Sequence, residues 1–264
     1  GTPQPVGRAI VDHLFPKDVD FRIPVIGISG SKGKTPVAQL CAHFLRLANY
    51  YVGLASSQGL YFNQKLVEKK DAANWTNARR TLLNRAVEAA VIENGADVIL
   101  NQGLSYDRCQ VGVVTNINKE EFFPDNSIVE EKQLFTVYRT QVDVVLPTGT
   151  GVLNVDDELV AEMDELCDGE VIFFGTNLEN PTLAKHLANN GKAVIANAQE
   201  IIIRQGQEVL WKIALSSSAY TSGNVTSERI YNTLAAVGSA WALKLPFTLI
   251  EAGIETFSPE KSES

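Results

Sequence analysis

The sequence predicts an α/β fold: a doubly wound, mostly parallel sheet with a phosphate-binding P-loop, plus a small antiparallel β extension. Three observations carry that expectation. Short apolar runs alternate with helical stretches from residue 23 to residue 189, the pattern of strands joined by crossover helices. The first run, residues 23–29, enters Gly30-Ser31-Lys32-Gly33-Lys34-Thr35 and then a helical stretch reaching Leu47. Strand, glycine turn and helix in that order form a phosphate cradle. Beyond Lys192 the period shortens. Residues 193–196, 201–203 and 209–213 are apolar runs separated by brief polar turns, Gln205-Gly206-Gln207 being the clearest, so an antiparallel meander is expected on the sheet edge.

In the glycine turn, Gly30 and Gly33 leave backbone N–H groups unshielded, and the helix beginning near Lys34 adds the positive end of its dipole. Lys34 would neutralise the β- and γ-phosphates, and the Thr35 hydroxyl would hold Mg²⁺. The full Walker A spacing asks for a glycine where Ile28 stands, so the match is to the shortened form Gly-x-x-Gly-Lys-Thr. Pro36 suits a first helical turn but removes one N–H donor. The competing reading is a structural turn that happens to carry Gly-Lys-Thr.

Composition narrows the class. With 264 residues, 45% hydrophobic and 20% charged, the chain has ordinary globular composition. No apolar run approaches the roughly 20 residues of a membrane span, and the sequence opens without a signal peptide. Cys41, Cys109 and Cys167 are odd in number and far apart, the usage of reduced core thiols in a cytoplasmic protein. A net charge of −8 disfavours nucleic acid as a partner.

In chain order, residues 1–21 read as a linker from an upstream domain, with Pro3, Pro5 and Pro16 bracketing a short helix over 7–15. A strand is expected at 51–55, a polar loop at 56–59, and a hairpin from 60–62 and 66–67. Thr76 is read as the N-cap of a helix running to about residue 89. Residues 90–92 form a buried strand ending in Glu93, a lone carboxylate at the same sheet edge as the P-loop, placed to hold Mg²⁺ opposite Thr35. An exposed strand-end glutamate is the alternative. Strands follow at 109–115, 151–154 and 170–175, alternating with helices at 128–142, after Asp156-Asp157, and at 182–189. A long helix is expected over 229–243, capped by Ser227, and a last one over 247–252, stopped by Gly253. Residues 258–264 read as a flexible tail.

The P-loop, the strand tip Thr115-Asn116-Ile117, the segment Gly151-Val152-Leu153-Asn154-Val155-Asp156-Asp157 and the late helix Tyr231-Asn232-Thr233-Leu234-Ala235-Ala236 together resemble the central ATPase domain of the Mur ligases, over residues 22–257. More narrowly, residues 5–16, Gly103-Leu104-Ser105-Tyr106-Asp107-Arg108-Cys109 and Ala252-Gly253-Ile254-Glu255-Thr256-Phe257 resemble the Mur-like part of the cyanophycin synthetases.

The resemblance implies an ATP-dependent, Mg²⁺-assisted ligase that activates an aspartate side-chain carboxylate as an acyl phosphate for attack by the arginine α-amine. A poly-aspartate or cyanophycin chain and arginine would be its partners. Gly30, Ser31, Lys32, Gly33, Lys34 and Thr35 would bind nucleotide, with Asn116 near it and Asn232 approaching the adenine. Lys34 and Glu93 would be catalytic, and Thr35, Glu93 and Glu121 would hold metal. Glu120-Glu121 stands where the family usually has Asp-His, and Lys32 where it prefers asparagine. The resemblance also implies an upstream ATP-grasp-like domain, a C-terminal domain after residue 258, and a homo-oligomeric full-length enzyme. This piece alone is then expected to bind nucleotide and catalyse poorly. A non-catalytic nucleotide-binding scaffold is the alternative.

Overall fold

The computed structural model describes residues 22–258 apart from 119, 122, 124–127, 129–130, 219 and 223–225. The expected linker over 1–21 and the tail beyond Ser258 lie outside the described residues.

β1 (Val25–Ser29) is buried at every position because it is the centre of the sheet. It pairs in parallel with β5 (Ala89–Glu93) on one side and β6 (Cys109–Val114) on the other. Outward from β5 come β2 (Val52–Ser56), β3 (Gly59–Phe62) and β4 (Lys65–Glu68); outward from β6 come β7 (Val145–Asn154), β8 (Glu170–Gly175), β9 (Lys192–Ala196), β10 (Glu200–Gln205) and β11 (Glu208–Ala214). The sheet has 11 strands in the order β11-β10-β9-β8-β7-β6-β1-β5-β2-β3-β4. The chain thus winds out from β1 in one direction and then returns to build the other side. Loops at the C-terminal ends of β1, β5 and β6 meet at that reversal, where open α/β sheets bind ligands.

Alternating side chains separate the two faces. Ile26, Ile28 and Val91 pack with α1 (Lys34–Leu47), α7 (Ser227–Ala242) and α8 (Phe247–Thr256). On the opposite face, Val25, Ala90 and Ile92 pack with Ala78 of α2 (Trp75–Leu83). That face continues over α3 (Ala96–Gln102), α4 (Glu131–Asp143), α5 (Glu158–Ala161) and α6 (Pro181–Ala188), which share a core around Leu134, Tyr138, Phe173 and Leu187. Burial of this kind, at about 25 cal/mol per Å² of apolar surface, holds the layers together.

The antiparallel meander lies where the sequence places it: the β9–β10 and β10–β11 pairs are antiparallel, and β9 joins the meander to the parallel sheet through β8. A second antiparallel hairpin pair, β2–β3–β4, closes the other edge. Several expectations shift. The helix expected from Thr76 is capped by Asn74, whose side chain accepts from the Asn77 N–H at 3.0 Å. It ends at Leu83, because Asn84 turns the chain back, its Oδ1 accepting from the Ala86 N–H and its carbonyl from the Val87 N–H. α3 was not foreseen, and β7 is ten residues long where four were expected.

The last helix runs through Gly253 to Thr256. Gly253 is there for contact: a Cβ would come within 2.6 Å of Cε1 of Phe44, a fully buried ring on α1. Gly253→Ala is expected to destabilise the chain in urea titrations by about 1–2 kcal/mol, since overpacking against a fixed ring outweighs the gain of about 1 kcal/mol in helix propensity. A stabilised variant would show that the two helices can move apart.

His186 stands edge-on to Phe173 at 4.7 Å, its Nε2 3.1 Å from the Lys192 carbonyl. Burial holds its pKa below the ordinary imidazole value, against the opposing pull of that carbonyl. The unfolded chain therefore takes up the proton first. The neutral ring's contribution is fully present above a pH of about 6.5 and is lost as the pH falls below it. His186→Gln is expected to flatten the fall in stability between pH 7.5 and 5.5, read from urea midpoints; an unchanged slope would assign that fall to other groups.

Candidate active site

The glycine turn sits where β1 hands the chain to α1, and its two glycines are there by necessity. Gly30 has φ +125° and Gly33 φ +84°, both in the region that side chains avoid. A Cβ on Gly30 would press on Thr115 and on the Asn116 main chain, and one on Gly33 would collide with Oδ1 of Asn232. The turn is pinned from the β6 tip. Ser31 N–H donates to the Asn116 carbonyl at 2.9 Å and Lys32 N–H to Asn116 Oδ1 at 3.0 Å, while Asn116 Nδ2 and Thr115 Oγ1 both donate to the Lys32 carbonyl. The Val37 N–H makes the first helical bond, to the Gly33 carbonyl. Ahead of it, the N–H groups of Lys34 and Thr35 have no intrahelical acceptor and face the turn, and Pro36 has none to offer.

Lys34 reaches back over the turn, its ammonium donating to the carbonyls of Gly30 at 2.8 Å and Ser31 at 3.2 Å. The Thr35 hydroxyl donates to both carboxylate oxygens of Glu93, at 3.1 and 3.0 Å, and lies 2.7 Å from the Ser57 hydroxyl. The Ser57 N–H donates to Glu93 Oε2 at 3.0 Å. Glu93 is only 4% exposed. Burial raises its pKa above the ordinary carboxylate value; the Ser57 N–H, the Lys34 charge and the Thr35 hydroxyl oppose that rise. A buried carboxylate beside two hydroxyls offers a divalent cation an all-oxygen donor set, the kind Mg²⁺ takes. By this test the residues fit both a phosphate chain and its metal.

Glu121 joins a different group. Its Oε2 accepts from the Ser31 hydroxyl and from the Tyr138 hydroxyl of α4, the latter at 2.8 Å, and the Asn118 N–H donates to Ser31 Oγ at 2.8 Å. Glu120, beside it, is exposed. Asn232 is 8% exposed and closes over Gly33 from α7, so it does not lie on a wet helix face. Lys32 points to solvent. The structure thus gathers Lys34, Thr35 and Glu93 with Ser57, sets Asn116 and Asn232 against the turn itself, and ties Glu121 to Ser31.

The family model for the Mur ligase middle domain matches residues 28–240. The chain belongs to that family. Over its whole length this Mur ligase middle domain is 33% identical to the cyanophycin synthetase of Synechocystis sp., and it spans 30% of that protein's length. A structure of UDP-N-acetylmuramoyl-L-alanyl-D-glutamate--2,6-diaminopimelate ligase superposes with a TM-score of 0.68 at 13% identity, covering 95% of this chain and 49% of that one. A pseudomurein peptide ligase type C from Methanothermus fervidus gives a TM-score of 0.60 at 18% identity, over 94% of this chain and 52% of that one. These two superpositions establish the shared fold. No helix among the described residues is long and apolar enough to cross a membrane.

Two polar groups of this Mur ligase middle domain escaped sequence reasoning. Asp156 Oδ2 accepts from the Thr176 N–H at 2.6 Å, the Tyr231 hydroxyl at 2.7 Å and the Asn177 N–H at 3.2 Å, anchoring the first turn of α7 to the end of β8 just before Asn232. Beneath β1, Asn94 Nδ2 donates to the Tyr106 hydroxyl and to Gln141 Oε1, with Tyr106 donating to the same Oε1 at 2.9 Å. A Cβ on Gly27 would run into that group. Polar residues at strand ends were the available signal; their partners lie too far away in sequence to be paired by spacing.

Proposed function

We propose that this Mur ligase middle domain is the ATP-binding core of an amide-forming ligase of the cyanophycin synthetase type. In this reading an aspartate side-chain carboxylate at the end of a poly-aspartate chain takes the γ-phosphoryl group as an acyl phosphate. The α-amine of arginine then displaces phosphate to form the amide. The carrying observation is the junction of Lys34 with the Thr35–Glu93 pair at the sheet's reversal edge, in a chain that resembles cyanophycin synthetase from end to end.

The problem the site must solve is electrostatic, since a carboxylate and a triphosphate repel each other. Lys34 sets one cation over the turn, and the N–H groups at the head of α1 point at the same place. Glu93 and Thr35 would hold Mg²⁺, with Glu121 a further oxygen ligand on the Ser31 side; bound there, the metal supplies charge neutralisation along the phosphates. Asn116 fixes the main chain of the turn, and Asn232 keeps α7 against it, on the side assigned to the adenosine. Arginine binding, assembly with ATP-grasp-like and C-terminal domains, homo-oligomerisation and action in the cytoplasm complete the proposal.

One observation favours a second reading, a nucleotide-binding scaffold without catalysis: Ser31 is engaged by Glu121, a carboxylate beside the phosphate loop. ADP release by the complete enzyme decides between the two. The ligase reading expects release only when an aspartate-terminated acceptor and arginine are both present; release indifferent to both, or none, favours the scaffold.

A further inference from the structure

Two carboxylates flank the glycine turn, and each is held by two donors. On the Thr35 side, Glu93 accepts from the Thr35 hydroxyl and the Ser57 N–H. On the Ser31 side, Glu121 Oε2 accepts from the Ser31 hydroxyl and, at 2.8 Å, from the Tyr138 hydroxyl. The Asn118 N–H donates to Ser31 Oγ at 2.8 Å, which leaves the Ser31 hydrogen for Glu121. The Glu121 N–H in turn donates to the Asn118 carbonyl at 2.9 Å and ties the segment to itself.

Tyr138 anchors the second of these groups. It is fully buried in α4, in the core shared with Leu134 and Phe173, so its hydroxyl reaches Glu121 from a fixed ring. Both donors to Glu121 are neutral hydroxyls, which hold the carboxylate in place without cancelling its charge. Glu121 is half-buried, and its charge is screened less there than in open water. A phosphate chain on the turn therefore meets the main-chain N–H groups and the Lys34 ammonium, which lies over the Gly30 and Ser31 carbonyls, between two fixed negative charges.

We propose that Glu121, positioned by Tyr138, is a selectivity residue that makes the turn reject a metal-free triphosphate and accept one whose charge a divalent cation has lowered. The inference rests on the nucleotide-binding part of the reading above and names the form of nucleotide that the site takes. A metal-free triphosphate brings its full negative charge against a carboxylate that is tied to the core and cannot swing away. A cation on the phosphates offsets that repulsion. Tyr138 touches neither nucleotide nor metal in this account; it acts through Glu121.

Calorimetric titration of this chain with ATP, once in excess Mg²⁺ and once with a chelator, tests the assignment without turnover. Glu121→Gln keeps the size of the side chain and removes its charge. It is expected to bind metal-free ATP about tenfold more tightly than the parent, the scale of one charge pair removed near a protein surface, and to gain nothing for MgATP. Tyr138→Phe keeps the ring in the core and lets the carboxylate turn to water. Metal-free ATP should then bind about threefold more tightly at an unchanged MgATP affinity, whereas a purely structural role would shift both forms alike. Glu120→Gln removes the same charge from the exposed neighbour and should leave both affinities within about twofold. An affinity for metal-free ATP that does not rise in Glu121→Gln, or that rises as much in Glu120→Gln, overturns the assignment, as does a Tyr138→Phe chain in which both forms shift together. Failure of the parent to bind either form overturns it along with the nucleotide reading. A chain that discriminates as expected, in an enzyme that never releases ADP in response to its substrates, keeps the selectivity and loses the ligase reading, so the two fail separately.

Discussion

Lys34→Ala is expected to lower aspartate- and arginine-dependent ADP release by about a hundred- to a thousandfold in the complete enzyme, the usual loss when one preorganised charge-stabilising donor is removed. The ammonium donates only to two carbonyls of its own turn, at 2.8 and 3.2 Å, and Lys34 is half-buried. Those carbonyls can turn to water once the side chain is gone, so the loss of stability should stay within about 1 kcal/mol. The turn itself is held by Asn116 and Thr115 and by positive φ at two glycines, none of which depends on the lysine. A large fall in turnover with an unchanged melting temperature is the expected pair of results. Turnover that survives would move the chemistry elsewhere in the enzyme.

The second large effect is expected at Glu93. Glu93→Gln should raise the Mg²⁺ concentration needed for half-maximal turnover about ten- to a hundredfold, the scale set by loss of one supporting group at a metal site. Gln keeps one acceptor for the Thr35 hydroxyl but cannot accept from Thr35 and the Ser57 N–H with two oxygens, as Glu93 does. The fold should lose little, because a carboxylate only 4% exposed is itself expensive to hold in the absence of a cation. An unchanged Mg²⁺ requirement in Glu93→Gln would remove Glu93 from the metal site and reduce it to a strand-end carboxylate paired with Thr35.

What could be read in the sequence was local. The glycine turn, Lys34 and Thr35 form one contiguous signal, and α1 runs over Lys34–Leu47 as the sequence predicts. Glu93 was legible because it ends a short apolar strand, although only the parallel pairing of Ile28 with Glu93 sets it beside the turn. The parallel core was legible for the same reason, each strand being a short apolar run between helices. Contacts made by chain reversal were not. Tyr138 meets Glu121 through α4, and Tyr231 meets Asp156 from 75 residues away. Neither pairing has a period or a turn to announce it. Gly253 misled because a glycine near a helix end resembles a stop signal, whereas here Phe44 demands the missing side chain. The meander over β9–β11 was legible from its brief polar turns, and α6, crossing the sheet, joins it to β8 in parallel.

In the proposed function the turn at residues 30–35 grips a triphosphate, with Mg²⁺ between Thr35 and Glu93. Amide hydrogen exchange of this chain with and without MgATP tests it where it lives. Slowed exchange is expected at residues 30–35, at the Ser57 amide that supports Glu93, and at residues 231–233 of α7, with all of it lost in Lys34→Ala. Protection that spares residues 30–35, or that persists undiminished in Lys34→Ala, would contradict the account.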